Sequence, residues 1–247
     1  MTCYLLSGIL AFAFSQTKVI AHRGFWKTDD SAQNSITALV KADSIKCYGS
    51  EFDVWLTADD KLIVNHDYRY KGKRMETSTA SELTSLELPN GEHLPSLEEY
   101  LIKGKELPDT KLILELKAHT LPEQETKAIE KIVEMVKQYQ LEDRMEYISF
   151  SLHAVKEFIQ LAPQSPVYYL EGDLSPKKLK EIGCTGLDYS IGIMKRKSKW
   201  IKEAHKLGLK VNVWTVNKES DMRWLIDKGV DFITTDDPLL LQSILAE

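Results

Sequence analysis

From Lys18 onward the chain alternates between short apolar runs and longer, more polar stretches. The runs are Lys18 to His22, Gly49 to Leu56, Lys111 to Lys117, Met145 to Ser149, Val167 to Leu170, Leu187 to Ser190, Lys210 to Trp214 and Phe232 to Thr234. Each has the length and apolar character of a strand. Between them, Glu123 to Tyr139 places Ile129, Ile132, Val133 and Val136 at helical spacing, and Lys199 to Lys206 reads as a further helix. Strand-to-helix alternation of this kind builds parallel sheets, because parallel neighbours need a crossover. Eight βα units predict a closed barrel, an α/β fold of the (β/α)8 TIM type, rather than an open sheet. A length of 247 residues with 43% hydrophobic content suits one such domain, assigned here to residues 16–247.

One segment breaks the alternation. Lys61 to His66 is also strand-like, but only a few residues separate it from Leu56. That is too short for a parallel crossover, so the connection must be a hairpin turning on Asp59 and Asp60. With those two as the central turn residues, Ala58 faces Lys61 and His66 falls opposite Asp53. Tyr68 to Pro95 (roughly residues 68–95) has no long periodic stretch and reads as a small insertion over the barrel mouth. Ser96 then stands three before Glu99, the spacing of a capping box that opens a helix.

The first residues have a different character. Leu5 to Phe14 is almost continuously apolar, ends in Ala13-x-Ser15, and precedes the first charge at Lys18. Residues 1–15 are therefore expected to act as a signal peptide, although a basic residue at the start is missing. The run is short of the ~20 residues that a spanning helix needs, so no stable membrane insertion of the mature chain is expected. The mature protein is expected to be periplasmic or secreted, or cytoplasmic if the segment is not a signal. Cys47 and Cys184 would then be the remaining cysteines, expected as buried thiols rather than a disulfide framework. A net charge of -5 disfavours a general nucleic-acid binder. Gly-x-Ser-x-Gly, P-loop and dinucleotide-binding signatures are absent.

Three strand ends carry charge that a packed barrel would not choose: His22-Arg23-Gly24, Glu51-Phe52-Asp53 and Glu115-Leu116-Lys117. In the last two, charged residues alternate with apolar ones and so share one face of the strand. Carboxylates aimed into a barrel are costly unless paired or metal-bound. Glu51, Asp53 and Glu115 make an oxygen-only set suited to one hard divalent ion, Mg²⁺ or Ca²⁺. The alternative is a buried ion network neutralised by Arg23 and Lys117. His22 and His66 flank the acids, and two imidazoles beside one metal fit phosphodiester cleavage: one takes a proton from the attacking hydroxyl while the other protonates the leaving alkoxide. Arg23 and Lys117 are placed to offset developing negative charge. His119 continues the alternation of Glu115 and Lys117 toward the mouth, while His93, His153 and His205 have no partnered acids and read as surface residues. Lys195-Arg196-Lys197 reads as the solvated opening of a helix.

His22-Arg23-Gly24, Glu51-x-Asp53, His66-Asp67, Glu115-x-Lys117 and Trp214-Thr215-Val216-Asn217, in this order, resemble the glycerophosphodiester phosphodiesterase family. The resemblance spans about Lys18 to Pro238. It implies that His22 and His66 are the acid/base pair, that Glu51, Asp53 and Glu115 hold the metal, and that Arg23 and Lys117 hold the phosphate of a small-molecule glycerophosphodiester. It further implies that Trp214 faces the glycerol, though a core role for that aromatic stays open. Members of the family look as though they attack with the substrate's own glycerol hydroxyl, giving a cyclic phosphate before water opens it; direct attack by water is not separable by sequence. The products would be glycerol 3-phosphate and an alcohol of unspecified kind. One departure is Gln33-Asn34 where the family usually has Glu-Asn, which bears on the Arg23 loop rather than on the metal ligands.

Two other functions share these residues. A lipid-acting phosphodiesterase of the same superfamily would need an apolar rim, whereas Tyr68 to Pro95 is strongly polar. A non-catalytic headgroup-binding barrel would have lost a histidine or a carboxylate, and all five are present.

Overall fold

The computed structural model describes residues 16–247, so the leading segment expected to be a signal peptide lies outside the described residues. Among the described residues eleven strands are formed: β1 Lys18–Ala21, β2 Gly49–Leu56, β3 Leu62–Val64, β4 Arg69–Tyr70, β5 Lys73–Arg74, β6 Lys111–Leu116, β7 Met145–Ser149, β8 Val167–Tyr169, β9 Gly186–Ser190, β10 Lys210–Trp214 and β11 Phe232–Thr235. β1, β2 and β6 to β11 run parallel in chain order, and β1 pairs with both β2 and β11, so the sheet closes on itself. Helices follow the strands and cover the outside, giving the (β/α)8 barrel.

Each inner strand is buried on both faces, which is why the runs read as continuously apolar. On β6, Leu112, Leu114 and Leu116 face the helical layer, while Ile113 and Glu115 face the axis. Phe52, between the two acids of β2, points outward and stacks on Tyr100 of the helix Leu97–Lys105 at 4.3 Å between ring centroids. That helix opens with the expected capping box, Ser96 accepting from Glu99 N while the Glu99 carboxylate accepts from Ser96 N. Inside the barrel, Ile20, Ile113, Ile148, Tyr168 and Phe232 form a plug below the mouth. Cys47 and Cys184 are free and buried, and burial pushes their thiols up to about 12 and about 11.

The hairpin after β2 exists, but its register is one residue off the expected one. Val54 pairs with Val64 and Leu56 with Leu62, so Asn65, not His66, lies opposite Asp53, with Asn65 N donating to Asp53 O at 3.0 Å. The cause is the turn. Thr57 N donates to Lys61 O, leaving three residues in the loop, and the third, Asp60, is left-handed with φ 59°. The segment beyond is ordered around its own core of Trp55, Ile63, Met75, Leu83 and Leu94. The basic run at Lys195 closes the helix Ile191–Arg196 instead of opening one, and Lys195 pairs with Asp221 at 2.6 Å.

The turn leaving β1 sets the position of the first histidine. Arg23 and Gly24 are both left-handed (φ 56° and 76°), and a Cβ on Gly24 would stand 2.6 Å from Ala38 Cβ and 2.7 Å from the Ala38 carbonyl carbon. No residue but glycine meets both demands without displacing the helix Ile36–Ser44. Gly24→Ala is accordingly expected to cost about 2 kcal/mol or more. A thermal melt should fall by about 5 °C; an unchanged melting temperature would show that the turn relaxes freely.

Candidate active site

The mouth of the barrel gathers its chemistry from β1, β2, β6 and β11 and from the arm beyond β3. Glu51 and Asp53 face inward from β2, and Asp53 is in register with Glu115 of β6. One carboxylate oxygen from each of the three lies within 4.8 Å of the others, and all three residues are buried. Burial first, then the charges of Asp53 and Glu115, hold the Glu51 carboxyl well above its usual range. Burial and Asp53 likewise push Glu115 up to about 7, against the pull of Lys117. Asp53 goes the other way: burial opposes ionisation, but Lys117, His66 and Arg23, with a hydrogen bond from Asn34, bring it below the ordinary carboxylate value.

The compensating groups are close. Lys117 Nζ lies 2.7 Å from Glu115 Oε1 and 3.3 Å from Asp53 Oδ1. Arg23 N donates to Glu51 Oε2 at 2.8 Å, and Arg23 Nε stands 3.7 Å from Asp53 Oδ2. Asn34 Nδ2 donates to Asp53 Oδ2 at 2.9 Å, and Asp53 N donates to Asn34 Oδ1 at 3.2 Å. Gln33, at the departure from the family pattern, accepts from Arg23 Nη1 at 2.5 Å and so still braces the guanidinium. Glu51 Oε1 remains buried with no hydrogen-bond partner. An orphaned carboxylate oxygen in an oxygen-only cluster suits a hard divalent cation, so the residues fit the expected metal.

Both expected histidines reach this mouth. His22 follows β1 and approaches Glu51 Oε2 to 4.0 Å through Nε2. Its Nδ1 lies 2.7 Å from Asp236 Oδ1, a residue not singled out in the sequence. Asp236 also accepts from Asn217 Nδ2 at 2.6 Å and from Trp26 Nε1 at 3.3 Å. With Asp236 ionised, Nδ1 carries the proton and donates it, leaving Nε2 as the basic nitrogen on the acidic side. His66 repeats the pattern, with Nδ1 2.8 Å from Asp67 Oδ1. Burial lowers the His66 pKa, Asp53 raises it and Lys117 lowers it, with a net downward shift.

His22, Arg23, Glu51, His66 and Glu115 all line one cavity of about 110 Å³, together with Trp214, Phe150 and Asp188. Trp214 lines this cavity, its indole donating to Asp188 O at 2.9 Å and meeting Phe150 edge-on at 5.5 Å. A second cavity of about 360 Å³ lies between the turn after β1 and the insertion, lined by Trp26, Gln33, Asn34, Asn65, Tyr70 and again His66. His119 does not reach the mouth: its Nε2 accepts from Leu56 N at 2.9 Å and its Nδ1 donates to Lys117 O at 2.7 Å. His153 and His205 are tied to Thr126 and Asp231.

Several similar proteins share this arrangement of fold and chain length. A glycerophosphodiester phosphodiesterase of Caldanaerobacter subterraneus subsp. tengcongensis is 28% identical over 250 residues, covering 93% of this chain and 98% of its own. A crystal structure of a glycerophosphodiester phosphodiesterase from Parabacteroides distasonis is 52% identical with a TM-score of 0.92, covering 94% and 97% of the two chains. The fold is also that of an Oleispira antarctica phosphodiesterase in complex with its product sn-glycerol-3-phosphate, at 23% identity and TM-score 0.82 over 94% and 98% of the chains. The barrel and its mouth are those of a phosphoric diester hydrolase. More narrowly, the chain belongs to the Glycerophosphoryl diester phosphodiesterase family, whose model matches residues 22–240.

Asp236 gives the site a measurable signature. Burial works against its ionisation, but hydrogen bonds from His22, Asn217 and Trp26 hold its carboxyl down to about 2, against an ordinary 3.8. Stability from a depressed carboxyl is fully present above the unfolded pKa and disappears as pH falls through the folded one. Asp236→Asn is thus expected to be about 2 kcal/mol less stable than wild type near pH 6. In urea titrations this gap should close as pH drops from about 4 toward 2; a gap that stays constant over that interval would show that the carboxylate is not held by ionised pairing.

Proposed function

We propose that the chain hydrolyses glycerophosphodiesters to glycerol 3-phosphate and an alcohol, with His22 and His66 as the acid/base pair and one divalent ion, Mg²⁺ or Ca²⁺, held by Glu51, Asp53 and Glu115. The observation that carries this reading is the convergence of both imidazoles, Arg23 and two of the three acids on one cavity. The Parabacteroides distasonis protein, at 52% identity, supports the substrate class. A bound divalent ion supplies positive charge for the phosphoryl oxygens.

The chain's own residues account for the rest. Arg23 and Lys117 offer N–H donors to the non-bridging oxygens, where charge grows as the new P–O bond forms and the old one breaks. The attacking oxygen, whether a glycerol hydroxyl or water, gives its proton to one imidazole, and the leaving alkoxide takes a proton from the other. His66 lines both cavities while His22 lines only the inner one, which supports placing His66 on the side of the leaving alcohol. Asp236 and Asp67 fix the tautomers by accepting from Nδ1, so each Nε2 faces the reaction. Water-soluble, deacylated diesters are the favoured substrates: in the insertion, Tyr68 is the exposed large hydrophobic residue, so the rim offers little apolar surface to a lipid.

The deciding assay measures glycerol 3-phosphate released from glycerophosphocholine and glycerophosphoethanolamine, with and without chelator. Chelation is expected to abolish release, and His22→Ala and His66→Ala each to lower kcat by about 10²- to 10⁴-fold. Tight binding of either diester without cleavage at saturating Mg²⁺ or Ca²⁺ would refute catalysis and leave a headgroup-binding barrel.

A further inference from the structure

The acids at the mouth are accounted for, but a further carboxylate lies deeper and has no assigned task. Asp188 sits on β9, is 2% exposed and lines the inner cavity, and its Oδ1 has no hydrogen-bond partner. Its place in the barrel follows from register. Asp188 pairs with Asn212 of β10, whereas Trp214 pairs with Ser190. Inward-facing residues alternate along a strand, so Asp188 stands one layer below Trp214 and below the histidines.

That layer is divided. On one side the cavity is lined by Ile148 and Leu170, which cannot answer a polar group. On the other, Asn212 Nδ2 donates to Thr234 Oγ1 at 2.8 Å and Asn212 Oδ1 accepts from Val213 N at 2.9 Å, so that amide has a single N–H left to offer Asp188. A buried carboxylate oxygen left without a partner costs stability, and a fold that tolerates one beside its reaction cavity has a use for it when that cavity is filled. Burial pushes Asp188 up to about 8 against the pull of Asn212, and Glu115 and Glu146 add to the rise. Near neutral pH it therefore keeps a proton and can donate as well as accept.

We infer that Asp188 is a specificity-determining residue that hydrogen-bonds the glycerol hydroxyl farthest from phosphorus. The inference rests on the proposed substrate class. A phosphate held at the mouth by Arg23 and Lys117 directs its three-carbon end either outward or down past Trp214, and the downward path ends at Asp188. The carboxyl then separates glycerol from alcohols of equal size that lack the terminal hydroxyl, because such an analogue leaves the buried acid unpaired.

The test couples one substrate change to one protein change. Hydrolysis of glycerophosphoethanolamine is compared with that of its deoxy analogue, which keeps the hydroxyl next to the phosphate-bearing carbon but lacks the terminal one. Wild type is expected to prefer the parent in kcat/KM by at least about tenfold. Asp188→Leu should shrink that preference to within about twofold, and Asp188→Asn, which still hydrogen-bonds, should keep most of it. Asp188→Ala provides a second apolar variant should the leucine not be accommodated. A wild-type enzyme that cleaves both substrates equally well would overturn the inference while leaving the hydrolase reading intact. So would apolar variants that slow both substrates in the same proportion, the mark of a purely structural or metal-linked role. Failure of wild type to cleave the parent would remove both readings together.

Discussion

Three carboxylates sharing one small volume inside a closed sheet repel each other, and everything else at the mouth answers that repulsion. β2 and β6 are adjacent parallel strands, so their register alone forces Asp53 beside Glu115, with Glu51 two residues below. Lys117 and Arg23 meet the charge, Asn34 clamps Asp53 from a turn 19 residues earlier in the chain, and His66 adds a further favourable field. The compensation is uneven. Asp53 is the stabilised anion, while Glu51 and Glu115 are held in a state that favours a proton or a cation over water.

The orientation of the histidines depends on a different kind of support. Each imidazole is anchored through Nδ1 by a carboxylate, one from the end of β11 and one from its own neighbour in sequence. Asp236 is in turn gripped by Asn217, which also accepts from Asp236 N and from Thr235 Oγ1, so that the Trp214 to Asn217 segment serves two purposes: an aromatic wall and a brace for the first histidine.

Much of this was readable in the sequence because barrel strands write their geometry in a period of two. Glu51, Asp53, Glu115 and Lys117 alternate with outward-facing apolar residues, and that alternation is what brought them together. The same rule, applied to Phe232, Thr234 and Asp236, points the last of these inward; Asp236 escaped notice because Asp-Asp-Pro at the end of a strand also reads as a turn opening a helix. The hairpin register was off by one because a left-handed Asp60 adds a residue to the loop, and sequence does not distinguish that turn from a two-residue one. His119 obeys the alternation yet is captured by Lys117 O and Leu56 N, since its strand has already ended. The left-handed Arg23 and the commitment of Gln33 to its guanidinium are facts of three-dimensional closure that no local pattern carries.

The pairing of β1 with β11 has a consequence for the order in which the protein acquires its chemistry during synthesis. All three acids of the cluster have been synthesised once β6 has emerged, because they lie on β2 and β6. His22 is made earlier still, but its anchor, Asp236, follows 214 residues later. A nascent chain therefore carries the three acids, and His66 beside its neighbour Asp67, long before His22 can meet its anchor. The strand β11 works as a latch: the pairing that closes the sheet also delivers the carboxylate that orients the first histidine.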